Sequence, residues 1–281
     1  TEVDASMELG LLQLSASAYL VAAGLFGLDA MRDSDRPAVA GAVALAAGFL
    51  LHTISIVSHS MRLGLLPVAT FSEGVSFFAW LVAGLFILVS GGVRLNVIGA
   101  IVSPLACFLT VVAVASYTES EAIPLALHSP WLPVHVTLAF LGNAVFALAF
   151  AISVIYLAQE RQLKSRRNPW IINRLPSLEE LDRLNYRCLV WGLPLLTLGM
   201  LSGGIWAAEA SGHFWSGEAR EILSLMTWFV YGGLLQSRVT AGLRGRRAAV
   251  LTILGFAFVV VSYFSIPLLD LPGRHGGGLG I

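Results

Sequence analysis

Long apolar runs of roughly 18 to 25 residues, broken only by short connectors that hold nearly all the charge, decide what this chain can fold into. A run of that length wound as a helix spans a bilayer, whereas the strands of a membrane barrel would show only weak alternation. The runs fall at about 9–30, 38–59, 72–90, 96–115, 134–158, 187–208, 222–240 and 248–269. They predict an all-α, polytopic membrane bundle of about eight transmembrane helices, a single integral-membrane domain over 1–281 with no internal repeat. With 57% hydrophobic and 12% charged residues, the chain is too apolar for a soluble domain of 281 residues.

An even number of spans puts both termini on one side. The connectors after the first, third, fifth and seventh spans hold fourteen of the seventeen basic residues, leaving Arg62, Arg220 and Arg274 on the other side. The positive-inside bias then places both termini, and the segment 206–221, outside the cytoplasm of a bacterial-type plasma (inner) membrane. The basic connector 159–186 would be cytoplasmic. Within it, PSLEELDRL reads as a Ser-capped amphipathic helix lying at the interface, where the basic residues would meet anionic lipid.

Several functions are excluded by what is missing. Cys107 and Cys188 stand alone in apolar runs, and no Cys-x-x-Cys occurs, so the chain carries neither a covalent haem-attachment motif nor a dithiol of its own. No Ser/His/Asp set, phosphate loop or metalloprotease spacing is present, and nothing suggests nucleic acid as a partner. The scarcity of charge within the spans speaks against a transporter. The first run has no basic flank before it and reads as a spanning helix rather than a cleavable signal.

Under the expected topology all six histidines fall in the outer half: His52, His59, His128, His135, His213 and His275. Imidazole ligates haem iron and other metals, but histidine also favours interfaces and loops, and both readings stand for the set. His52 and His59 are seven residues apart, so they share a helix face with His52 about 10 Å deeper. His52 reads either as a ligand or proton carrier or as a polar packing contact, and His59 as a solvated interface residue.

Between two apolar runs lies the most distinctive segment, WAAEASGHFWSGEAREILSLMTW, from Trp206 to Trp228. It lies within the third of four segments: HTISIVSHSMRLGLLPVATFSEGVSFFAWL at 52–81, LHSPWLPVHVTLAFLGNAVFALAFAISVIYLAQERQLK at 127–164, GGIWAAEASGHFWSGEAREILSLMTWFVYGGLLQSRVTAGLRGRRAAVLTILGFAFVVVSYF at 203–264, and a Pro-Gly-Arg-His tail at 272–275. In this order they resemble the cytochrome c assembly family, which includes the CcsA, CcmC, CcmF and HemX-like proteins, and are most similar to its CcsA-type members. Only the first span and part of the fourth lie outside the likeness.

The resemblance implies non-covalent haem b held at the outer membrane face, with His135 and His275 as axial iron ligands. Trp215 and Trp131, with Phe214, would cover the porphyrin as an aromatic platform, although Trp at this depth also serves as an interfacial belt. His52 is a further cofactor-binding candidate. Where the family pattern is Trp-Gly-x-x-Trp-x-Trp-Asp-x-x-Glu, this chain has Ser211, Gly212, Trp215, Gly217, Glu218 and Glu221, and Gln236 stands in the family's Leu-His-x-Arg setting. The carboxylates Glu73, Glu209, Glu218 and Glu221 read as caps and solvated groups.

Two functions remain open from the sequence. In one, the chain is a haem chaperone or part of a haem-attachment system, presenting haem to apocytochrome c alongside a thiol-handling partner. In the other it is a non-catalytic HemX-like accessory protein, or a haem-holding or structural subunit of a larger membrane complex.

Overall fold

The structure, a computed structural model, describes residues 2–31, 36–90, 96–118, 128–165 and 175–269. Among these residues there are eight helices and no strands: α1 Glu2–Met31, α2 Arg36–Leu63, α3 Phe71–Ser90, α4 Asn96–Ala115, α5 Trp131–Ser165, α6 Leu178–Ser211, α7 Ala219–Thr240 and α8 Arg246–Leu269. Seven of them are long and apolar enough to cross a membrane. The exception is α7, which has the length but carries Gln236 and Arg238 in its last turns. The all-α membrane bundle expected from the apolar runs is the architecture found, and the chain is an integral membrane protein.

Several helices outrun their expected limits, two of them by the most. α5 continues to Ser165, and α6 begins at Leu178, so LEELDRL is the first part of a 34-residue helix rather than a separate interfacial one. Ser177 caps that start, its hydroxyl accepting from the Glu180 amide at 3.1 Å, and nothing downstream stops the helix until Gly212. There the backbone turns left-handed at φ 78°, a conformation open to glycine, and the Gly212 amide closes the last turn on the Ala208 carbonyl. The helix also includes Trp206, which leaves only 212–218 as the loop proper.

Many hydroxyls inside the bundle are satisfied within their own helix, the cheapest arrangement where no water is at hand. Thr53, Thr110, Ser153, Thr197, Thr227 and Thr252 each donate a hydroxyl to the carbonyl four residues earlier in their own helix. At one end a larger network joins four helices: Arg238 of α7 donates to Asn185 and pairs with Asp182, both of α6, while Asn185 reaches Ser153 of α5 and Thr252 of α8.

α1, α2 and α4 pack together with α3 against α4, and α5, α6 and α8 form a second group with α7 outermost. α3 and α4 join the groups through α5. The tightest seam runs between α5 and α6. His135, Ala139, Gly142 and Phe146 recur at four- and three-residue steps on α5, facing Gly203, Gly199, Leu196 and Gly192 on α6. A Cβ at Gly142 would come within 2.9 Å of the Leu196 amide nitrogen, and one at Gly199 within 2.7 Å of that of Ala139. Small residues at these crossings let the two backbones approach, which is how helices associate when lipid removes the hydrophobic drive between them.

Candidate functional site

The α5–α6 seam ends at His135. Its Nδ1 lies 2.7 Å from the Gly199 carbonyl. A carbonyl can only accept, so Nδ1 carries the proton, and in the neutral ring the lone pair is left on Nε2. Trp206, two turns beyond Gly199, sets its indole nearly parallel to the imidazole, 9° between planes with centroids 6.3 Å apart. Gly203 makes room for the ring, and Gly204 does the same for Phe214.

Above this histidine the aromatic groups stay open. Trp131, Phe214 and Trp215 are 40%, 51% and 47% exposed. Trp131 opens α5, its amide donating to the Ser129 hydroxyl, which in turn donates to Glu209 near the end of α6. That bond ties the start of α5 to the end of α6. Glu221 shapes the loop: its Oε2 accepts from the amides of Ser216, Gly217 and Glu218 at 2.9, 2.7 and 3.3 Å. With Gly217 at φ 75°, these amides form a concave turn around one carboxylate oxygen. Thus Glu209 and Glu221 act through specific bonds.

The residues expected to bind a cofactor are not all brought together. His135, Trp131 and Trp215 belong to one end of the α5–α6 pair and its loop. His275 lies outside the described residues. His52 is fully enclosed elsewhere, between α1 and α3, with Nε2 2.9 Å from the Ser76 hydroxyl and Nδ1 3.3 Å from that of Tyr19. To reach an iron it would have to give up one of those bonds. His128 and His213 are exposed and neighbour the aromatic groups in sequence.

Against expectation, His59 is not a solvated interface residue: it is wedged between the carboxylates of Glu8 and Glu73. Glu8 escaped notice because it lies just before the apolar run that begins at residue 9, where a lone carboxylate reads as flank. Gly203 was also missed, and only its spacing from Gly199 and Gly192 hinted at it. No group of three or more His, Cys, Asp or Glu side chains suited to a bare metal ion occurs among the described residues.

Comparison with known proteins decides the relationship. Residues 68–271 match the cytochrome c assembly protein family. This chain belongs to that family. Among its relatives, the cytochrome c biogenesis protein CcsA of Guillardia theta is 31% identical over 245 residues, covering 80% of this chain and 81% of that protein. The CcsA of Prochlorococcus marinus (strain MIT 9303) is 31% identical over 305 residues, covering 98% and 92%. The solved structure of the cytochrome c haem lyase CcmF superposes with a TM-score of 0.70 at 15% identity, over 93% of this chain. This chain spans 46% of that lyase's length, and the likeness is one of fold. As a member of the cytochrome c assembly family, the chain is a helical membrane protein of cytochrome c biogenesis.

Proposed function

We propose that this chain holds non-covalent haem b at the outer membrane face and presents it to apocytochrome c. His135 is the first axial ligand and His275 the second, with Trp215, Trp131 and Phe214 covering the porphyrin. The observation that supports this best is the bond from His135 Nδ1 to the Gly199 carbonyl. It holds the tautomer and the ring orientation, keeping Nε2 as the free donor, which is how metal-bound histidines are commonly fixed from behind. Exposed aromatic rings beside a preset histidine suit a large flat ligand that must also be released.

Bound there, haem would supply the vinyl groups consumed by the thiols of a Cys-x-x-Cys-His client. This chain's residues bind, orient and shield: His135 sets the axis, Trp206 lies parallel to the imidazole, Phe214 packs over Gly204, and Glu221 shapes the turn that follows Trp215. The thiols belong to the client or to a thiol-handling partner. The distribution of basic residues supports placing this end outside a bacterial-type plasma membrane.

A second reading is favoured by one set of residues. Ser211 and Gly217 replace two of the three loop tryptophans of the family pattern, and Gln236 replaces the histidine of the following helix. They suit a HemX-like accessory protein or a subunit of a larger membrane complex. Protein purified from haem-replete cells should show a haem spectrum that is lost or shifted in both His135→Ala and His275→Ala. A haem-free wild type would sink the assignment, and a spectrum indifferent to both substitutions would move the site elsewhere. Co-purification with apocytochrome, rather than with a fixed set of subunits, separates the two readings.

A further inference from the structure

Where α1 begins, α2 ends and α3 begins, four charged or titratable side chains meet away from the His135 site. Glu8 and Glu73 are enclosed, with 4% and 8% of their side chains exposed. Arg62 grips Glu8 with two donors, Nε to Oε1 at 3.1 Å and Nη2 to Oε2 at 2.8 Å. Glu73 turns its Oε2 to the amides of Ala69 and Thr70, at 2.7 and 3.1 Å, in the connector before α3. His59 lies between the two carboxylates, Nδ1 2.8 Å from Glu8 and Nε2 3.2 Å from Glu73.

The hydrogen-bond count leaves one proton to be placed. Carboxylates only accept when ionised, and neutral imidazole has a single N–H, so one ring nitrogen would turn a lone pair toward a carboxylate oxygen. Arg62 Nη2 also lies 3.3 Å from Nδ1, but Glu8 is nearer, and a bare Nδ1 would meet its oxygen at 2.8 Å. His52 differs here. Its partners Tyr19 and Ser76 are hydroxyls that donate or accept, and they satisfy a neutral ring.

Charge leads to the same point. Arg62 balances Glu8, whereas Glu73 meets no cation but His59 among the described residues. An enclosed carboxylate without a counter-charge is costly. The other titratable group lining this place is Tyr117, just beyond α4, while Tyr263 of α8 approaches α3 at Gly74. A cleft of about 30 Å³ opens among Glu8, His59, Glu73 and Ser76, large enough for water to carry a proton in or out.

We propose that Glu8, His59, Arg62 and Glu73 form a proton-binding site, in which His59 protonated on both ring nitrogens latches the beginnings of α1 and α3 to the end of α2. The ligand is a proton taken from water through the cleft. Its loss breaks one of the two His59 bonds and leaves Glu73 without a counter-charge. Because Glu73 also holds the Ala69 and Thr70 amides, the connector 64–70 loosens with it. The site is independent of haem and stands or falls apart from the His135 assignment.

The test uses the full chain in lipid nanodiscs with ¹⁵N-labelled histidine, the His59 signals being those lost in His59→Gln. At neutral pH both His59 ring nitrogens should carry protons, and Glu73→Gln should leave only one protonated. A single protonated nitrogen in the wild type overturns the proposal without any variant, and so does a doubly protonated ring that persists in Glu73→Gln. Amide hydrogen exchange then tests the latch: raising the pH until the second proton is lost should lower the protection of Ala69 and Thr70 about tenfold or more. Protection that stays constant through that loss overturns it.

Discussion

Gly203 lies so close to His135 that a Cβ on it would come within 2.6 Å of both Nδ1 and Cε1 of the imidazole. The hydrogen at this position of α6 is therefore part of how the histidine is held. Gly203→Ala should force the ring off the Gly199 carbonyl, at an overpacking cost of about 1–3 kcal/mol. The expected result is unchanged helical content with haem content reduced several-fold. Wild-type haem content in this variant would show that the ring's position against α6 does not matter for binding.

How much of this could be read beforehand differs from residue to residue. The spans were legible because a bilayer imposes a length, and length survives in sequence without knowledge of neighbours. Ser177 was legible as a cap, yet the helix it starts was not seen to run unbroken into the membrane, since LEELDRL is polar enough to suggest an interface. His135 stood out through the Trp-rich loop and the family likeness. Its partner Gly199 could not, because a backbone carbonyl has no signature in sequence and the α5–α6 register appears only when the helices meet. The Glu8, His59 and Glu73 cluster draws on three helices, and local periodicity says nothing about such a convergence.

Glu221 offers a test of the loop. Three backbone amides converge on one of its oxygens. Glu221→Ala should free 216–218 and the start of α7. Trypsin cleavage after Arg220, followed by mass spectrometry on protein in nanodiscs, should accelerate about tenfold, in line with the loss of charge-assisted hydrogen bonds. Equal cleavage rates would mean that packing rather than the carboxylate shapes the loop.

At the opposite end, Arg238 and Asp182 should respond unequally. Arg238 is the more enclosed, its side chain 3% exposed against 20% for Asp182. Asp182→Asn keeps an oxygen for the Gly245 amide but leaves the guanidinium inside without its counter-charge, a loss of about 3–5 kcal/mol. Arg238→Met removes the buried charge, and the remaining carboxylate can turn to water. Thermal unfolding in nanodiscs should therefore show the larger drop for Asp182→Asn. The reverse order would mean that Arg238 acts mainly through Asn185 and its stacking on Tyr186.

The orientation of the bundle can be settled by placing one thiol at each end. Ser216 is in the exposed loop between α6 and α7, and Ser165 is the exposed last residue of α5, a 35-residue helix that starts at the loop's end of the bundle. At 1.5 Å per residue α5 is about 50 Å long, well beyond the hydrocarbon core, so Ser165 must emerge on the far side. Cys107 and Cys188 are free thiols and are first replaced by alanine to give a silent background. In intact cells a membrane-impermeant maleimide should label Ser216→Cys at once and Ser165→Cys only after lysis, as the basic connectors require. The opposite pattern would place His135 and its aromatic groups on the cytoplasmic side, and delivery of haem to an external client from this site would then be excluded.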